Sequence, residues 1–118
     1  MNDGFVKVAA CTPKIKVADV GYNVSQITRQ IENCKEQGVK IAVFPELCIT
    51  GFTCGDLFMQ QTLLKESLKA IREITELTEK ENASVVVSAP LFIKNGLYNC
   101  AFMISKGTVY GIQVKTFI

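Results

Sequence analysis

Apolar runs and amphipathic stripes alternate along this chain, and that alternation leaves few folds open. Phe5 to Cys11 is apolar at nearly every position, the pattern of a strand covered on both faces. After a polar loop, Asn23 offers a helix N-cap, with Gln26 three residues on as in a capping box. Val24, Ile27, Ile31 and Cys34 then recur at helical spacing, and Gly38 supplies the stop. Val39 to Phe44 reads as a second buried strand, ended by Pro45.

A longer stripe follows. Leu64, Leu68, Ile71, Ile74 and Leu77 mark one face, and Lys65, Lys69, Arg72, Glu73, Glu76 and Lys80 the other, as far as Asn82. Ser84 to Ala89 is a third strand built on three valines. Lys94-Asn95-Gly96 and Lys106-Gly107 are hairpin turn signals, with strands at about Tyr98–Ser105 and Val109–Lys115. The order β-α-β-α-β-β-β predicts an α/β layer extended by antiparallel strands. The 118 residues fit one domain. They stop at Lys115-Thr116-Phe117-Ile118, in an element barely begun. That predicts residues 1–118 to be a fragment of a longer protein, which by itself would expose sheet edges and self-associate.

The net charge of +2 comes from 13 basic and 11 acidic residues with no basic stripe, so nucleic acid is not an expected partner. The longest apolar stretch, Val85 to Ile93, is interrupted by Ser88 and Pro90 and is too short to span a membrane. The opening Met-Asn-Asp-Gly lacks the basic region of a signal peptide. Five cysteines at 11, 34, 48, 54 and 100 show no Cys-x-x-Cys spacing, and histidine is absent. Neither a disulfide framework nor a metal site is expected, and a reducing cytoplasm is the expected compartment. Without histidine, chemistry here must run on carboxylates, lysines or cysteines.

Glu46 is the first candidate. It follows an apolar run and a proline, where a carboxylate is costly unless paired or used. It reads as a general base or acid, or as a carboxylate accepting loop N–H groups or paired with lysine. Lys115, at the end of the last strand, reads as an oxyanion-stabilising ammonium or as a lysine reaching to solvent. Cys48 and Cys54 flank the Glu46 loop and read more simply as small buried hydrophobes. Asp56 suits the N-terminal end of the long helix.

Phe44-Pro45-Glu46-Leu47, then Thr50-Gly51-Phe52, with Val114-Lys115-Thr116 near the end, resembles the nitrilase (carbon–nitrogen hydrolase) superfamily. The continuation to Gly55-Asp56-Leu57-Phe58 is similar, more narrowly, to the N-terminal glutaminase domains of glutamine-dependent NAD+ synthetases. The resemblance implies an α-β-β-α sandwich, here only its N-terminal part, and a Glu-Lys-Cys triad. It puts the general base on Glu46 and the lysine on Lys115. Phe52 falls on a substrate-side position that is usually tyrosine in the family, and so lacks the hydroxyl.

The nucleophilic cysteine lies in the family beyond residue 118, and none of the five cysteines here occupies its motif. The fragment is therefore expected to be inactive by itself. The implied substrate is glutamine. Ammonia would pass to a C-terminal synthetase domain of the same chain, which would use ATP and Mg to make NAD+ from nicotinic acid adenine dinucleotide. This domain would need no cofactor, and assembly into homo-oligomers is expected. Two other readings remain, a stand-alone amidase acting on another amide and a non-catalytic α/β assembly module.

Overall fold

A computed structural model describes residues 4, 6–17, 19–45, 48–49, 61–93 and 96–114. Five strands and two helices fall within them: β1 (Val8–Ala10), α1 (Val20–Glu36), β2 (Ile41–Val43), α2 (Gln61–Glu81), β3 (Ser84–Ile93), β4 (Gly96–Ser105) and β5 (Thr108–Val114). The strands form one sheet in the order β1-β2-β3-β4-β5. β1, β2 and β3 are mutually parallel, and β4 and β5 continue antiparallel. The expected α/β class and element order stand.

Local chemistry sets the helix ends. Asp19, not Asn23, caps α1, its carboxylate accepting the Tyr22 N–H at 3.0 Å. Asn23 therefore lies inside the first turn, and the expected capping box with Gln26 does not form. Gly38 ends α1 at φ 75° in a Schellman arrangement, with Val39 N–H on the Cys34 carbonyl and Gly38 N–H on that of Lys35. Asn82, at φ 53°, ends α2 in the same way, with Ala83 N–H on the Thr78 carbonyl. The β4–β5 hairpin turns on Lys106 and Gly107, both at positive φ, as a two-residue type I′ turn requires.

A sheet laid down in sequential order with right-handed crossovers carries both connecting helices on one face, and burial follows that rule. Ala42, Val85, Val87, Ala89, Cys100, Phe102 and Ile104 pack with Ile27 and Ile31 of α1 and Leu63, Ala70, Ile71 and Ile74 of α2. The opposite face is open: Val8 is 62% exposed, Val43 43% and Met103 57%. The expectation that β1 and β2 are covered on both faces does not hold among the described residues. Both helices went to the same side.

The α2 stripe is also rotated from its expected position. Leu68 is 49% exposed, and Ser67 and Thr78 are buried in the helix's inward face. Both polar side chains are satisfied. Ser67 Oγ donates to the Leu63 carbonyl, and Thr78 Oγ1 donates to the Thr75 carbonyl while accepting the Gly107 N–H at 3.0 Å. The Thr78 pair ties α2 to the β4–β5 hairpin.

Candidate functional site

β2, β3 and β5 run in one direction, since β4 reverses the chain once and β5 reverses it again. Their carboxyl ends share one edge of the sheet. The chain leaves β2 at Val43, three residues before Glu46, and leaves β5 at Val114, one residue before Lys115. Topology thus brings the ends of β2 and β5 to the same edge, although the two strands lie far apart in sequence. Glu46, Phe52 and Lys115 themselves lie outside the described residues, as do Cys54 and Asp56.

The segment around Glu46 is anchored on both sides. Upstream, Phe44 N–H bonds the Val86 carbonyl at 2.9 Å. Downstream, Ile49 N–H reaches the Ser88 carbonyl at 3.3 Å. Both anchors are carbonyls of β3, two residues apart, so β3 holds the chain before and after the carboxylate. β5 lies two strand positions away from β3, roughly 10 Å across the sheet.

Asn23 adds a third tether. Its side chain is fully buried. Nδ2 donates to the Ile49 carbonyl at 2.8 Å and to the Lys16 carbonyl at 2.9 Å, and Oδ1 accepts the Lys16 N–H at 2.7 Å. One carboxamide therefore clamps the loop before α1 to the chain just past Glu46. Sequence reasoning missed this role by assigning Asn23 to a cap. The available signal was its place on the apolar stripe, between Val20 and Ile27 at helical spacing.

The cysteines near this edge are poor nucleophiles. Cys48 is 1% exposed, its thiol resting 3.8 Å from the Ser88 carbonyl, and burial pushes its pKa up to about 11. Burial likewise raises Cys100. Both thiols stay protonated at neutral pH, as small hydrophobes do. Among the described residues no group of three or more histidine, cysteine or acidic side chains is placed to hold a metal ion.

The carbon–nitrogen hydrolase family model matches residues 7–116. The chain is 32% identical, over 117 residues, to the glutamine-dependent NAD+ synthetase of Mycobacterium leprae, covering 99% of this chain and 17% of that protein. It is 36% identical over 102 residues to that of Aquifex aeolicus, covering 86% of this chain and 18% of the relative. The chain thus spans about a sixth of the length of the curated relatives it matches. The crystal structure of a glutamine-dependent NAD+ synthetase from Cytophaga hutchinsonii superposes with a TM-score of 0.85 at 28% identity, over 96% of this chain and 19% of that one. An amidase from Nesterenkonia superposes at 0.80 with 17% identity, over 96% of this chain and 43% of the amidase, a likeness of fold alone.

Proposed function

This chain belongs to the carbon–nitrogen hydrolase family, and on that premise we propose that it forms part of a glutaminase. The reaction would be cleavage of the glutamine side-chain amide, with the ammonia supplied to a synthetase domain that amidates nicotinic acid adenine dinucleotide at the expense of ATP. What carries the reading is identity to glutamine-dependent NAD+ synthetases over nearly the whole chain. The shared sheet edge of β2 and β5 supports it, since Glu46 and Lys115 follow those two strands.

In this reading a cysteine supplied from beyond residue 118 is the nucleophile. Glu46 takes its proton as the thiolate attacks the amide carbon, and a tetrahedral oxyanion forms. Lys115 stabilises that oxyanion and helps keep Glu46 ionised. The proton then passes from Glu46 to the leaving nitrogen, the C–N bond breaks and ammonia departs from a thioester. Glu46 next deprotonates water, which attacks the thioester carbon. Glutamate leaves and the thiol is regenerated. Phe52 would line the substrate side with a ring and no hydroxyl.

The test is ammonia release from glutamine by the protein joined to its downstream chain, with and without ATP plus nicotinic acid adenine dinucleotide. Release that rises with the second pair of substrates supports the coupled glutaminase. Release from some other amide, and none from glutamine, would replace this reading with a different amidase.

A further inference from the structure

Two thiols that the proposed reaction does not use lie against each other. Cys11 Sγ and Cys34 Sγ are 3.8 Å apart, joining the end of β1 to the last turns of α1 across 23 residues of chain. Both backbones are held. Cys11 N–H bonds the Val43 carbonyl at 2.8 Å, and the Cys34 carbonyl accepts the Val39 N–H at 2.9 Å in the helix stop. Cys11 is 6% exposed, whereas Cys34 is partly open to solvent. The thiols of Cys48 and Cys100 rest instead against the carbonyls of Ser88 and Tyr98.

We propose that Cys11 and Cys34 are an oxidisable pair, a modification site at which hydrogen peroxide closes a disulfide between β1 and α1. Side-chain rotation must bring the sulfurs from contact to a bond of about 2.0 Å. Cys34, the less buried residue of the two, gives up its proton and its sulfur attacks one peroxide oxygen. The O–O bond breaks, the departing hydroxide takes up the proton released by the Cys34 thiol and leaves as water, and Cys34 becomes a sulfenic acid. Cys11 sulfur then attacks the Cys34 sulfur. The S–S bond forms as the S–O bond breaks, and the departing hydroxide carries off the Cys11 proton as water. One peroxide is reduced to two waters while the pair loses two hydrogens.

Burial, with the Cys34 sulfur beside it, holds the Cys11 thiol up at about 11. That argues against Cys11 as the first sulfur to attack peroxide, since the thiolate is the reactive form. The disulfide would brace the residue that follows β1, whose amide bonds the end of β2 at Val43, three residues before Glu46. The inference is independent of which amide the protein cleaves.

The experiment treats the folded protein with hydrogen peroxide, alkylates the remaining thiols, and maps peptides without reduction. A Cys11–Cys34 linked pair, two hydrogens lighter than its parts and released by dithiothreitol, is expected. In Cys11→Ser the Cys34 sulfenic acid should accumulate and be captured by dimedone. In Cys34→Ser no link should form. Wild-type protein that yields Cys34 sulfenic or sulfinic acid without the link would overturn the proposal. So would links to other cysteines in its place, or both thiols still open to alkylation. The wild-type arm decides the matter alone, so a variant that fails to fold leaves the test intact.

Discussion

The Asn23 carboxamide donates to the Ile49 carbonyl at 2.8 Å, tying the first turn of α1 to the chain three residues past Glu46. The same side chain exchanges two hydrogen bonds with the Lys16 backbone. Removing it leaves buried backbone groups without partners, which costs about 1–3 kcal/mol for each group that water cannot reach. Asn23→Ala should therefore destabilise the fold by roughly 2–4 kcal/mol, read as a lower urea midpoint. Amide exchange at Ile49 should speed up more than at Val85 in the sheet centre. An unchanged midpoint would mean the tether carries no stability.

The Cys48 thiol is held at about 11 by burial, above its ordinary value of 9.0. Below pH 9 both folded and unfolded chains keep this proton, and the site contributes its full stability. Between pH 9 and 11 the unfolded chain releases the proton first, so stability falls as pH rises through that window. The loss attributable to this site is of the order of 2–3 kcal/mol. Cys48→Ala should flatten the decline, whatever it does to stability at neutral pH. Parallel pH curves for the two proteins would contradict the assignment.

Val43, Val86, Met103 and Gly111 form one row across the uncovered face of the sheet. Apolar surface of this kind is usually covered by another layer. Expressed as these 118 residues alone, the protein should self-associate, with a sedimentation coefficient that rises with concentration. Met103→Lys, placed in the middle of the row, should shift the population toward monomer while leaving the circular dichroism spectrum unchanged. A concentration-independent monomer would show that the face tolerates water.

If Glu46 is the proton carrier of the proposed glutaminase, Glu46→Gln should lower ammonia release by roughly a hundredfold or more. Lys115→Met should lower kcat by a comparable factor, as loss of an oxyanion donor does. The check is steady-state ammonia release from glutamine by the full-length protein. Activity within a few fold of wild type in either variant would remove that residue from the mechanism.

The fold and the site were legible in different degrees. The α1 stripe, the Gly38 stop and the Lys106–Gly107 turn could be read directly, because period and positive φ are properties of a few adjacent residues. Glu46, Phe52 and Lys115 rest on short motifs and on the ends of apolar runs, and they lie outside the described residues. Asn23 did not emerge. An asparagine beside a helix start reads as a cap, and only the Asp19–Tyr22 bond, one turn earlier, shows that the cap was already taken.

What the residues alone determined was therefore local: which segments form helices or strands, in what order, and where each must turn. Tertiary structure decided which face each element presents. Leu68 turned outward while Ser67 and Thr78 turned in, and one face of β1 and β2 stayed open. Those outcomes depend on the positions of neighbouring elements, which periodicity does not encode. The shared edge of β2 and β5 has the same origin. Strand direction is set by pairing through β3 and β4, so segments distant in the chain end at the same edge only once the sheet has formed.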